Sequence, residues 1–265
     1  MADFDATDLV TDIRSISLVT MRLTLLLFAT TVLLLGVGCA TVQRKLLYHP
    51  THDTPAKWLD EWMHNGQRIG FSRTVASPRN VWLLLHGNGG QAAYRGYALP
   101  CFSPEDSVYI LEYPGYGQRE GTPSRQNINA AAREAYELLR EKFPTTPVCV
   151  VGESIGTGPA CTLATHPRPP DKFVLIVPFA VLKEVADDHL PLLPTSLLLR
   201  DNWNNIEALK NYKGPLDIFA AKNDTIIPLR HAKALAASKP QTFFHEFEGG
   251  HNDWSNGDRV RIRNP

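Results

Sequence analysis

Apolar positions along this chain fall into blocks of different shape, and each shape predicts a different element. Several blocks are short and nearly unbroken: Val81–Leu85 (VWLLL), residues 147–152 (PVCVVG), residues 172–177 (KFVLIV) and Leu216–Ala221 (LDIFAA). Runs of this length with both faces apolar predict strands buried on both sides of a sheet. Residues 107–113 (SVYILEY), residues 242–247 (TFFHEF) and, less regularly, residues 67–75 extend the set of predicted strands. Other blocks repeat at helical spacing. Ala130, Ala131, Ala135, Leu138 and Leu139 predict a helix over residues 124–142 with Ser124 as its N-cap, and residues 229–238 predict another. Strands that alternate with helices imply a mostly parallel central sheet with helices on both faces. Right-handed crossovers then bring the C-terminal ends of the strands to one edge.

One block differs from the rest. Residues 23–42 (LTLLLFATTVLLLGVGCATV) contain no charged side chain and follow Met21-Arg22. About 20 apolar residues suffice to cross a bilayer core as a helix, and a basic residue before an apolar run is also the layout of a secretory signal. The run ends in Gly36-Val37-Gly38-Cys39, which resembles a bacterial lipobox with Cys39 as the lipidated residue. Gly36 stands where such a motif usually has Leu. Translation is expected to begin at Met21, since a signal behind 20 further residues would be unusual. The expected organisation is therefore residues 1–42 as signal, lipoprotein or membrane-anchor segment and residues 43–265 as one α/β domain. The chain is expected at a membrane, as a bacterial lipoprotein facing the periplasm or, alternatively, as a single-pass membrane protein.

The predicted strand ends carry the chemistry. Residues 152–156 read Gly-Glu-Ser-Ile-Gly, a G-x-S-x-G in which Ser154 sits on a sharp turn between strand and helix. Small residues two positions either side relieve the crowding there, and the amide of Ile155, at the start of the helix, can donate to an oxyanion. A serine needs an adjacent base to act as a nucleophile. His251 follows the last predicted strand in Gly249-Gly250-His251-Asn252-Asp253, and Asp224 follows the strand before it. Asp217, Asp201 and Asp253 are the rival acids. Asp217 lies inside a strand pattern, and Asp253 follows His251 too closely to orient it easily. His86, before Gly87-Asn88-Gly89-Gly90, is read as a structural residue that holds its loop. The histidines at 49, 52, 64, 166, 189, 231 and 245 are read as solvated or structural.

Composition narrows the function. Lys plus Arg and Asp plus Glu both total 27, so the formal net charge is zero and no basic excess marks a nucleic-acid binder. Besides Cys39, the cysteines are Cys101, Cys149 and Cys161, an odd number that completes no disulfide framework. No Cys/His spacing suggests zinc, and neither metal nor cofactor is expected.

Taken in order, QRKLLYHP at residues 43–50, HGNGG at 86–90, EYPGYGQREGTPS at 112–124, GESIG at 152–156, NDTIIP at 223–228 and GGHNDW at 249–254 resemble the α/β-hydrolase domain proteins. That group includes eukaryotic protein depalmitoylases and many bacterial membrane-anchored hydrolases. The resemblance covers residues 43–254. It implies the α/β-hydrolase fold with a minimal cap over residues 179–210, and the chain order Ser154, Asp224, His251 matches that fold's nucleophile, acid and base. It also implies that the second oxyanion donor is the backbone amide of Asn88. The chain departs from the family after His251, where a helix is usual and residues 254–265 are too short and polar for one. The expected activity is hydrolysis of a carboxylic ester or thioester, small or acylated, through an acyl-enzyme. The alternatives are an aminopeptidase-like serine peptidase, for which Glu112 or Glu153 would have to hold the substrate's amino group, and a non-catalytic membrane-tethered binding module.

Overall fold

The computed structural model describes residues 44–263 apart from residues 46, 54–58, 193–194 and 196–198. The apolar run and Cys39 lie outside the described residues. Of the unit Met1–Lys45, only Arg44 and Lys45 are described, both in helical backbone. All that follows concerns the unit Leu46–Pro265.

Each continuous apolar run forms a strand with every residue buried. β3 (Val81–Leu85), β4 (Ser107–Leu111), β5 (Val148–Glu153), β6 (Phe173–Ile176) and β7 (Leu216–Ala221) are covered on both faces. β1 (Asp60–His64), β2 (Gln67–Arg73) and β8 (Phe243–Phe247) are the more exposed outer strands. The sheet runs β1-β2-β4-β3-β5-β6-β7-β8. β1/β2 and β2/β4 pair antiparallel and all other neighbours pair parallel. β1 escapes the sequence pattern because Trp62 is its one buried residue.

The alternation along each strand divides the core in two. Val81, Leu83 and Leu85 face one layer, with Val150, Leu175 and Ile218. That layer is closed by α1 (Arg125–Lys142), α2 (Thr157–Thr162), α3 (Leu182–His189), α4 (Asn205–Leu209) and α5 (Leu229–Ala237), with Ala135, Ala160, Leu182, Leu209 and Leu235 turned inward. α1 starts where expected, since Ser124 Oγ accepts the amide of Asn127 at 3.1 Å. Trp82, Leu84, Val151, Val174 and Phe219 face the other layer. A tight 3₁₀ segment, Ala92–Cys101, covers part of it. Trp254, Val260 and Ile262 cover more, and the Ile262 amide donates to Cys101 O at 2.9 Å. Residues 254–262 thus shield this face without forming a helix, because their few apolar side chains are spaced to dock rather than to wind.

β3 is flanked by β4 on one side and β5 on the other, so the chain reverses its direction across the sheet there. The C-terminal ends of β3 and β5 therefore lie side by side, β3 leading into the loop that starts at His86 and β5 into the turn at Ser154–Gly156. In open α/β sheets such a switch point is where ligands bind.

Candidate active site

Ser154 leaves β5 with φ of +53°, a left-handed conformation rare for a residue with a side chain. The surroundings enforce it. A Cβ on Gly156 would lie 2.1 Å from Leu85 O, and one on Gly152 would lie 2.7 Å from the Thr157 Cα. Only glycine at both positions lets β5, the turn and α2 pack this closely. Thr157 Oγ1 donates to Ser154 O at 2.7 Å and closes the turn. Asn205 Nδ2 donates to Thr157 Oγ1 at 3.1 Å and to Phe179 O at 2.9 Å, fixing α4 against the turn.

The three residues singled out at the strand ends come together. Ser154 Oγ lies 2.9 Å from His251 Nε2, and His251 Nδ1 lies 2.7 Å from Asp224 Oδ2. With the imidazole proton on Nδ1, the hydroxyl donates to the ring and the ring donates to the carboxylate. The other oxygen, Asp224 Oδ1, accepts the amides of Ile226 at 2.9 Å and Ile227 at 2.8 Å. The carboxylate is therefore held by two backbone amides on one oxygen and by His251 on the other. His251 is set by its own loop, where Gly250 N donates to Asp253 Oδ2 at 2.8 Å. Asp253 thus positions the histidine loop, and the other rival acids are used elsewhere. Asp217, near the start of β7, pairs with Lys172 at 2.9 Å, and Asp201 accepts from Tyr48 OH at 2.9 Å.

Asn88 lies in the loop after β3, and Ile155 lies in the turn after β5. The Ile155 amide opens the turn into α2, where a helix start leaves N–H groups without helical acceptors. The side chain of Asn88 points away into the protein: its Oδ1 accepts from Tyr116 OH at 2.9 Å and its Nδ2 donates to Leu47 O. Whatever Asn88 offers a ligand is its backbone. His86 is fully buried, stacked on Tyr113 with ring centroids 4.2 Å apart, and its Nδ1 meets Gly87 O at 2.7 Å. It packs the loop, as the sequence suggested.

Glu153, which the sequence offered only as a holder of a substrate amine under the peptidase alternative, has a structural role. It is buried beside Ser154, where a charge needs partners. Its Oε2 accepts the Gly87 amide at 3.0 Å, and its Oε1 accepts from Trp254 Nε1 at 3.1 Å and Tyr97 OH at 3.3 Å. Arg95, nearly buried, donates to Gly87 O at 3.2 Å, to Gly89 O and to Tyr97 OH at 3.0 Å. Burial alone would raise the Glu153 pKa. The Arg95 charge, the Gly87 amide and the Trp254 indole outweigh it and hold the carboxyl below its ordinary range. Burial and the Glu153 charge push the Tyr97 hydroxyl up to about 12. The signal in the sequence was a carboxylate at the end of an otherwise apolar strand. Glu112 is equally committed, with Oε1 accepting the Ala92 amide at 2.9 Å. Neither carboxylate is free to hold a substrate amine.

Cys101, Cys149 and Cys161 are buried and unpaired, and burial raises all three thiols, Cys101 to about 11. Among the described residues, no group of three His, Cys, Asp or Glu is placed to hold a metal ion, and no helix is long and apolar enough to cross a membrane. A cleft of about 580 Å³ lined by Arg140, Arg168, Asp171 and Lys213 includes none of the residues described above.

The family model for the alpha/beta hydrolase fold matches residues 80–198. An uncharacterised protein of Mycobacterium tuberculosis is 34% identical over 197 residues, covering 71% of this chain and 70% of that protein. The lysophosphatidylserine lipase ABHD12 of Macaca fascicularis is 27% identical over 225 residues, covering 74% of this chain and 54% of its own length. The chain thus spans about half of that lipase. Among solved structures, an esterase of Pyrococcus furiosus superposes with a TM-score of 0.58 at 14% identity, covering 79% of this chain and 94% of that one.

Proposed function

Because the chain belongs to the α/β-hydrolase superfamily, we propose that it is a serine hydrolase that cleaves carboxylic esters or thioesters through an acyl-enzyme. The observation that carries this reading is the pair of contacts at His251, 2.9 Å to Ser154 Oγ and 2.7 Å to Asp224 Oδ2. In the proposed reaction His251 takes the Ser154 proton as Oγ attacks the acyl carbon. Asp224 holds the tautomer and stabilises the imidazolium without being protonated. The amides of Asn88 and Ile155 receive the oxyanion, a contribution typically worth ~10²–10³ in rate per donor. His251 returns its proton to the leaving alcohol or thiol. Water, deprotonated by the same imidazole, then releases the acid.

An acylated, lipid-like substrate at a membrane is the preferred class. Three observations support it. Leu190, Leu192 and Ile226 are exposed apolar side chains on two segments joined by His189 Nε2, which donates to Ile226 O at 2.8 Å beside the acid turn. The apolar run at residues 23–42 suits a lipid anchor through Cys39 or a membrane span. One relative is named a lysophosphatidylserine lipase. The peptidase alternative loses its anchor for a substrate amine, since Glu112 and Glu153 are both internally bonded.

A fluorophosphonate probe tests the reading. The full chain should label, while Ser154→Ala and His251→Ala should not. A folded wild-type chain that stays unlabelled sinks the hydrolase and leaves the binding module. Rates across acyl-chain lengths for matched esters and thioesters then define the substrate.

A further inference from the structure

The motif that the proposed reaction leaves unused is QRKLLYHP, at residues 43–50. Its second half is built into the loop after β3. Asn88 treats residues 47–49 as a neighbouring strand would: its Nδ2 donates to Leu47 O, and its Oδ1 accepts the His49 amide at 3.1 Å. The backbone continues the pairing. Gly90 N donates to His49 O and Thr51 N donates to Gly90 O, both at 3.1 Å, with Pro50 and Gly90 forming a parallel bridge. Further along, Gln91 Nε2 donates to Asp53 O at 3.1 Å, and Tyr94 OH donates to the Asp53 carboxylate.

The other side of the segment is held as firmly. Gly117 N donates to Thr51 O at 2.9 Å, and His52 Nδ1 donates to Gly117 O at 2.8 Å. Tyr48 is buried in the core, and its hydroxyl donates to Asp201 Oδ2 at 2.9 Å. Residues 47–53 are therefore clamped between the loop after β3, the turn after β4 and the segment before α4. A surface leader has no reason to spend a buried tyrosine and two side-chain hydrogen bonds of one asparagine on such a position.

We propose that residues 47–53 are a positioning strap for the oxyanion loop and that the Asn88 side chain is its clasp. The inference rests on the reading of Asn88 as an oxyanion donor. The Asn88 amide lies in the peptide plane between Gly87 and Asn88, and three sets of contacts hold that plane and its two flanks. Arg95 and His86 Nδ1 take the Gly87 carbonyl, which belongs to that plane, Glu153 takes the Gly87 amide one peptide earlier, and the strap, together with Tyr116 OH, takes the Asn88 side chain. The first two restraints come from inside the fold. The third comes from Tyr116 and from the segment that follows the apolar run of residues 23–42, so events on that segment reach the reacting carbonyl through Asn88. Asn88 acts here through its side chain as a positioning residue, apart from its backbone role.

The test uses the full chain carrying Asn88→Ala, which keeps the backbone amide and removes the clasp together with the Tyr116 bond, beside Tyr116→Phe, which removes that bond alone and should leave kcat within about threefold of wild type. A misplacement of about 1 Å in such a site costs roughly 10²-fold in rate. The expected result is a loss of that order in kcat for a short ester, with KM changed less than about threefold. A boronic acid that mimics the tetrahedral adduct should weaken by the same factor as kcat/KM, which a merely structural lesion would not produce. Wild-type kcat and boronate affinity in a folded Asn88→Ala chain would overturn the strap while leaving the hydrolase intact. A wild-type chain that fails to label with fluorophosphonate would overturn both. Should Asn88→Ala fail to fold, hydrogen exchange on the wild type decides. Phosphonylation of Ser154 should slow exchange at the His49, Gly90 and Thr51 amides together, and unchanged exchange there would overturn the proposal.

Discussion

The indole N–H of Trp254 donates to Glu153 Oε1 at 3.1 Å, joining the residue before Ser154 to the third residue after His251. Through Oε2, the same carboxylate reaches Gly87, next to Asn88. One buried charge thus ties the nucleophile turn, the histidine loop and the loop after β3. Glu153→Gln would put an amide N–H₂ where a carboxylate oxygen accepts and leave Arg95 without its nearby negative charge. The expected loss of stability is about 2–4 kcal/mol, read from urea melts. Trp254→Phe, which loses that bond and part of a buried ring, should cost about 2–3 kcal/mol. A Glu153→Gln chain within about 0.5 kcal/mol of wild type would show that the knot does not hold the loops.

The same carboxylate makes stability depend on acid. Its folded-state pKa lies below the ordinary value of 4.5, so the unfolded chain binds the proton more readily. The stabilisation is therefore fully present above that value and is lost as pH falls through the lower folded-state pKa. Urea melts of wild type and Glu153→Gln at about pH 7, 5 and 3 should give a gap that is constant at the two higher values and smaller at the lowest. A gap independent of pH would remove Glu153 as its source.

Asp224→Asn separates orientation from folding. Oδ1 would still accept the Ile226 and Ile227 amides, so the turn should survive. The carboxamide no longer favours the proton on His251 Nδ1, and an equivalent change in a serine protease triad lowers kcat by about 10⁴. The expectation for this chain is a loss of about 10³–10⁴ in kcat with an unchanged melting temperature. Retention of more than a tenth of the activity would point to another acid.

Gly156→Ala should fail for a reason that no side-chain movement can relieve. The added methyl would stand 2.1 Å from one backbone oxygen, Leu85 O, and 2.6 Å from another, His86 O. β3 and the turn would have to part, at an expected cost of about 3 kcal/mol or more. Circular dichroism and soluble yield report it, and a stable, active Gly156→Ala chain would mean that β3 and the turn separate at little cost.

The inner strands were legible because β3, β5, β6 and β7 are nearly unbroken apolar runs, as burial on both faces requires. Ser154 and Asp224 were legible because each stands just past such a run, and His251 because it follows the outer strand β8, all three bracketed by glycines or turn residues at strand ends that parallel pairing carries to a common edge. Local pattern determines that much, since periodicity and turn chemistry act over a few residues. What the tertiary structure alone decided is which distant groups meet. Tyr97, Trp254 and Gly87 converge on Glu153, Asp217 goes to Lys172 rather than to His251, and residues 47–53 become a strap on the loop after β3. Those partners are separated by up to 101 residues. A buried carboxylate announces that it needs donors, but only the packed sheet, in which every polar group must find a partner away from water, selects which donors they are.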